Sequence, residues 1–372
     1  MTPIAFLVLS GASLMVALHA FVTYPLSLMA VRAWKRRHAG NRDWARSTTP
    51  HRFAICTYLG DASELSEAKL SNLLAIRASK PNVQLLMFVD GDPAGLRALL
   101  EPHAGSVELH SSPLPRGRSY AMSALASRTR ADVLVFAHAH AMLQDHLLDS
   151  IDAHLSDREV GCVCATVEHA AGEDATRTVM TQYRRLDAWI RALETDTGST
   201  MGADGCLFAV RAALYHPAPA NALHDMHVSM MVLCGGHRVV CAADLRVQAD
   251  TQSTSRSAFR ERHDIAHKAL RVHRAMWPML SRLDGLTQYK YVSHKLLRWF
   301  SVYLFATASG CFVLAQALSG HMLPAAVLVV AATVVWLLGQ RMSLTPFAQA
   351  FEMLSALTGT GMGAVRALLR SD

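Results

Sequence analysis

Apolar residues crowd the two ends of the chain, and between them short apolar runs alternate with polar, helical stretches. From Thr2 to Val31 there is no Asp, Glu, Lys or Arg, and His19 is the only titratable side chain apart from Tyr24. A membrane-crossing helix needs about 20 apolar residues, so this stretch predicts a span with room to tilt. A second block without Asp, Glu, Lys or Arg runs from Trp299 to Gln340. Ser319-Gly320-His321 reads as a turn within it, which gives spans near 299–318 and 322–339 that return at Arg341. The last stretch, 344–369, is apolar on average but holds Glu352 and is closed by Arg366 and Arg370. Two readings stand for it: an interfacial or re-entrant helix, and a third C-terminal span.

Between Arg46 and Arg298 the pattern predicts strands at Arg52–Thr57, Val83–Val89, Ser106–His110, Asp132–Phe136 and Gly161–Val167. Helical spacing fills 62–79, 93–102, 118–129 and 144–156. Near-continuous apolar strands alternating with helices imply a mostly parallel sheet covered on both faces. Such a sheet binds its ligand beyond the carboxyl ends of its strands. Those ends carry Tyr58, Asp90-Gly91-Asp92 and Ala137-His138-Ala139-His140. Beyond residue 170 the pattern predicts a helix over 175–195, a strand over Cys206–Val210, a helix over 222–234 and a strand over Arg238–Ala242. A basic amphipathic helix follows from Ser257 to Leu280, and Tyr289, Tyr291 and Trp299 with Lys290, Lys295 and Arg298 form an aromatic and basic belt.

Composition sharpens this picture. Hydrophobic residues make up 51% and charged residues 17%, where a soluble domain carries about 25% charged residues. That excludes a disordered chain, a coiled coil and a nucleic-acid-coating tail. Lys and Arg number 36 against 29 Asp and Glu, a net charge of +7. Much of the excess follows the first span: Arg32, Lys35, Arg36, Arg37, Arg42 and Arg46. A signal peptide carries its charge before the apolar run, so the stretch reads as a signal anchor with residue 32 onward in the cytoplasm. Seven cysteines without a CxxC pair predict free thiols in a reducing compartment.

The ordered pieces resemble a membrane-bound family-2 glycosyltransferase of the GT-A fold. The likeness rests on Val89-Asp90-Gly91-Asp92, Arg116-Gly117-Arg118, Phe136-Ala-His-Ala-His-Ala-Met-Leu143 and Val160-Gly-Cys-Val-Cys-Ala165. Downstream it continues through Leu193-Glu194, Gly198-Ser-Thr-Met-Gly-Ala-Asp-Gly205, Phe208-Ala-Val-Arg211, His224-Asp225-Met226, Gly235-Gly236-His-Arg-Val-Val240 and Ser293-His294-Lys295. The resemblance implies a GT-A domain over 51–255, an N-terminal anchor over 1–31 and a basic linker over 32–50. It further implies interfacial helices over 256–298, a transmembrane hairpin over 299–340 and a terminal helix over 341–372. It implies an inverting transfer of sugar from a nucleotide sugar to a lipid-linked or polysaccharide acceptor at the inner membrane, alongside partner synthesis proteins. A catalytically silent homologue serving as a binding or scaffold subunit is the alternative.

Inverting transfer needs a grip on the nucleotide, a stabiliser for the diphosphate and a base for the acceptor hydroxyl. The resemblance assigns the first to Tyr58, Asp90, Arg118 and His138; Asp-Gly is also a common turn pair, so a turn role for Asp90 stays open. Asp225 is the candidate base, with helix capping as its other reading. Asp204, Arg260 and Arg262 are candidates for the acceptor side. The Gln and Trp of the processive Q-x-x-R-W motif are missing around Arg260-Glu261-Arg262. The family holds Mg²⁺ or Mn²⁺ with a D-x-D pair, and here His138 and His140 fill those slots. Imidazole suits softer ions, so three readings follow: a lost catalytic site, phosphate neutralised by imidazolium and arginine, or a softer metal held by His138 and His140 with His224 or His227.

Overall fold

The computed structural model describes residues 2–38, 51–80, 82–168, 175–248, 255–341 and 347–369. The expected linker residues Arg42 and Arg46, the first residues of the 344–369 stretch and Arg370 lie outside this set. The chain begins with α1 (Pro3–Leu18) and α2 (Tyr24–His38), joined without a break by a π turn at His19–Thr23. Thr2 caps α1 and a proline occupies its first turn, where the missing N–H costs nothing.

Strands and helices then alternate: β1 (Phe53–Leu59), α3 (Glu67–Ser79), β2 (Val83–Asp90), α4 (Ala94–Leu100), β3 (Val107–Ser112), α5 (Arg118–Ala126), β4 (Val133–His138), α6 (Leu147–Leu155), β5 (Val160–Glu168) and α7 (Ala175–Asp196). There follow β6 (Leu207–Arg211), α8 (His224–Cys234), β7 (Arg238–Gln248) and α9 (Ser255–Leu280). The helix predicted over 62–79 starts at Glu67, because Asp61 and Ser66 each cap a separate start. Asp61 accepts from the Ser63 amide at 2.7 Å and Ser66 from the Lys69 amide at 3.2 Å. The seven strands form one sheet in the order β3-β2-β1-β4-β6-β5-β7. It is parallel except for β6, which runs antiparallel to both β4 and β5; apolar periodicity carries no strand direction, so sequence does not single β6 out.

Alternation along each strand feeds two cores. Cys56, Phe88, Phe136 and Phe208 face the layer that holds α5, α8 and α9. Ile55, Met87 and Val135 face Leu73 of α3 and Leu148 of α6. The strand order reverses between β1 and β4, and at that switch point Tyr58 pairs in register with His138. A ligand crevice forms at such a reversal, so the fold brings two of the expected site residues side by side. All seven cysteines are free.

After α9 come α10 (Gly285–Tyr291), a π turn at Val292–Leu296, α11 (Leu297–Leu318), α12 (Met322–Arg341) and α13 (Phe347–Leu369). Two continuous helices, Pro3–His38 and Gly285–Leu318, are long and apolar enough to cross a membrane by length and composition. Large apolar side chains on them and on α12 remain uncovered, Met15 at 73% and Leu323 at 77% exposure among them. The first two helices pack together with their π turns facing. His19 Nε2 lies 3.0 Å from Ser293 Oγ, and Ser10 Oγ donates to the Ala308 carbonyl at 2.7 Å.

The terminal stretch forms a helix lying along α9 and beside α11 and α12. Arg274 Nη1 donates to the Ala367 carbonyl at 2.9 Å. The approach depends on glycine: a Cβ on Gly363 would lie 2.2 Å from the His263 carbonyl oxygen, and one on Gly361 would lie 2.4 Å from Val302 Cγ1. Gly363→Val is therefore expected to destabilise the α9–α13 pair by about 2 kcal/mol, the usual cost of overpacking. Faster proteolysis within 341–372 than in the parent would register it; an unchanged cleavage rate would refute the close-packing account.

Candidate active site

The site lies at the carboxyl ends of β1, β2 and β4, closed by the 198–205 loop and the first turn of α8. Asp90 ends β2 and is buried. Its carboxylate accepts from Tyr58 Oη at 2.8 Å and from the backbone amides of Arg116 and Gly117 at 3.1 and 2.9 Å. Gly117 has φ +77°, a conformation in which a side chain is strained. The turn between β3 and α5 is thereby pinned under Asp90, which sets the start of the helix carrying Arg118. In this arrangement the Asp90 carboxylate serves the turn, while Tyr58 is half-buried above it with its phenol pushed up by burial and by Asp90.

The Arg118 guanidinium reaches across the crevice and donates to the Gly205 carbonyl. A Cβ on Gly205 would sit 3.4 Å from the Asp225 carboxyl carbon and 3.6 Å from Arg118 Nη1, so these groups meet at one point. Asp225 lies in the first turn of α8, and no side chain caps that helix, so the carboxylate is not spent as a cap. Burial pushes the Asp225 carboxyl above its usual range; Arg118 opposes this, Asp204 adds to it and Lys295 opposes it. Asp204 closes its own loop, accepting from the Cys206 amide at 2.9 Å.

His138 ends β4, half-buried, with its backbone amide donating to the Cys206 carbonyl at 2.8 Å. Burial holds the imidazole down to about 4, helped by the neighbouring Arg118, His140 and Lys69 and opposed by Asp204. The shift favours the neutral ring near pH 7. The His140 backbone amide approaches His138 Nδ1 at 3.4 Å, and the two rings lie 5.5 Å apart. His140 itself is exposed.

His224 does not join this pair. It is 3% exposed, its ring packed edge-on at 4.7 Å against Phe136, and Nε2 lies 3.2 Å from Tyr215 Oη. Among the described residues no group of three or more His, Cys, Asp or Glu side chains is placed to hold a metal ion. Imidazole in both D-x-D slots is a poor match for Mg²⁺, a hard ion held by oxygen, and Mn²⁺ too is better suited by carboxylate than by an imidazole pair.

On the other side of Asp204, Arg184 of α7 and Arg262 of α9 lie close to one another. Burial and Arg262 lower the Arg184 pKa while Asp204 raises it. Arg260 is exposed, whereas Arg262 is half-buried. Sequence reasoning misses Arg184, although Arg184, Asp187, Arg191 and Glu194 follow helical spacing along one face of α7. That face is enclosed. Glu194 is fully buried and accepts from Tyr24 Oη, Thr200 Oγ1 at 2.9 Å and the Met201 amide at 3.0 Å, with His294 Nδ1 at 2.7 Å. Asp187 binds Arg191 at 2.7 Å, Arg298 at 2.5 Å and His294 at 3.1 Å. This network ties the N-terminal and α10–α11 helices to the loop holding Asp204.

Residues 54–216 match the family described as glycosyl transferase family 2. The structure resembles a mannosyltransferase, PcManGT from Pyrobaculum calidifontis, in complex with GDP-Man and Mn²⁺. The TM-score is 0.75 at 17% identity, over 99% of this chain and 100% of that one. Residues 1–349 of TarS from S. aureus align with a TM-score of 0.49 at 10% identity, over 86% of this chain and 91% of that one. No curated protein sequence matches the chain.

Proposed function

We propose that this chain, whose residues 54–216 match glycosyl transferase family 2 and whose fold resembles that of a GT-A enzyme, moves a sugar from a nucleotide sugar to a membrane-held acceptor. The observation that supports this reading best is the meeting of Asp225, Arg118 and Gly205 beside His138. In this proposal the nucleotide lies over Tyr58 and Asp90 at the switch point, and its diphosphate faces Arg118 and His138. Asp225 takes the proton from the acceptor hydroxyl. That oxygen attacks the anomeric carbon from the face opposite the diphosphate, which leaves with the bonding electron pair and inverts the configuration. His138, neutral at rest, can take up a proton as the diphosphate charge develops. Asp204, Arg184 and Arg262 line the acceptor side. No step passes through a divalent metal.

The acceptor is lipid-linked or a growing polysaccharide. Residues 1–31 form an anchor and 299–340 a hairpin in the inner membrane, so the 51–255 domain works at the cytoplasmic surface. The two long apolar helices support this, as do the basic Lys35, Arg36 and Arg37 in the last turn of α2. A second reading, a silent homologue acting as a binding subunit, draws on the His-Ala-His sequence at 138–140 and on the enclosed His224.

Turnover of labelled UDP- and GDP-sugars by the purified protein in native lipid, with and without EDTA, separates the readings. Transfer that survives EDTA is the expected result; absence of transfer under both conditions favours the binding subunit. His138→Ala is expected to slow transfer by about 10²-fold, the scale of a lost transition-state donor. A metal requirement in the parent that disappears in His138→Ala and His140→Ala would instead reinstate a histidine-held ion.

A further inference from the structure

α3 carries a buried cation that neither the family motifs nor the proposed chemistry uses. Lys69 is 1% exposed in a layer otherwise built from Leu70, Leu73 and Ile76. Its ammonium donates to the Ala141 carbonyl, three residues beyond His138. Among the described residues no carboxylate pairs with it. One turn along α3, Asn72 grips the same segment twice, donating to the Leu143 carbonyl at 2.8 Å and accepting from the Leu143 amide at 2.9 Å. A methionine would fill this space without the cost of burying a charge.

We propose that Lys69 is a positioning residue. With Asn72 it clamps the 138–143 segment, and its charge beneath the His138-Ala139-His140 turn makes the crevice electropositive for a nucleoside diphosphate. This rests on the reading that the diphosphate faces His138. The charged and titratable groups around His138 are Arg118 from α5, His140 from its own turn, Lys69 from α3 and Asp204 from the loop before β6. Three of the four are basic, so part of the charge that a divalent ion brings elsewhere is built into the protein here. Burial holds the Lys69 ammonium down to about 7, so the clamp is fully charged only below neutral pH.

Lys69→Met tests both roles. With one cation gone, the His138 ring, assigned by its loss in His138→Asn, is expected to titrate about one pH unit higher by NMR. Affinity for UDP or GDP, measured calorimetrically in EDTA, is expected to fall about tenfold. An unchanged His138 midpoint with affinity within twofold of the parent would overturn the proposal. Should Lys69→Met not fold, the parent and Lys69→Arg decide. Binding to the parent is expected to weaken as pH rises through about 7, and arginine, always charged, removes the part of that loss due to residue 69. Superimposable pH curves would refute the charge role. Failure of the parent to bind either nucleotide would sink the functional reading instead, while the His138 titration still decides whether Lys69 acts on it.

Discussion

Asp225→Asn is expected to lower the turnover number for sugar transfer by about 10³-fold, within the range for loss of a general base. Affinity for the nucleoside diphosphate should stay within about twofold, because the amide keeps the size of the carboxylate and Arg118 still has the Gly205 carbonyl. The pH profile provides a second readout. A base works ionised, and burial raises the Asp225 pKa. Activity in the parent therefore rises with pH through that raised value and is lost as pH falls through it; the variant lacks this limb. Transfer by Asp225→Asn within threefold of the parent would remove Asp225 as the base and pass that role to another group.

The second large effect concerns the junction between the sheet domain and the apolar helices. Glu194→Ala leaves His294, Tyr24 and Thr200 without their shared acceptor in a closed interior. Breaking a buried pair in this way costs about 3–5 kcal/mol, to be read as a lowered midpoint for chemical unfolding in detergent. The network also makes the junction acid-sensitive. Burial alone would raise the Glu194 pKa, but His294, Tyr24 and the Met201 amide hold it down to about 2, against 4.5 for the free side chain. A depressed carboxyl stabilises the fold above its unfolded pKa and loses that contribution as pH falls through its folded one. Between pH 4.5 and 2 the parent should lose about 3 kcal/mol from this group. Glu194→Gln should lack that component; equal acid sensitivity in parent and variant would discard the account.

Much of the fold is legible along the chain. The strand expected at Asp132–Phe136 appears as Val133–His138, and that at Arg52–Thr57 as Phe53–Leu59, because an apolar run long enough to bury both strand faces marks itself. The site is legible only in part. Order and spacing single out Asp225 and Arg118, but sequence cannot tell that the Asp90 carboxylate ties down the 116–117 turn, or that Arg184 lies beside Arg262 while Arg260 is exposed. Lys69 leaves one local trace, since it shares a helix face with Leu73 and Ile76 at i, i+4 and i+7 spacing. That pattern predicts burial and says nothing of the loop waiting above it.

The sequence by itself determined where apolar surface must be covered: two charge-free ends, a set of buried strands and the amphipathic helices between them. Burial of one element's face is a local property, so residue periodicity encodes it. Only the tertiary structure decided that β6 runs against its neighbours, that the two π turns meet, and that His138 is a neutral ring among Arg118, His140 and Lys69. Those outcomes depend largely on charge and hydrogen bonding between residues distant in sequence, His19 and Ser293 being 274 positions apart. Such energies vary steeply with distance and burial, and both are set by packing.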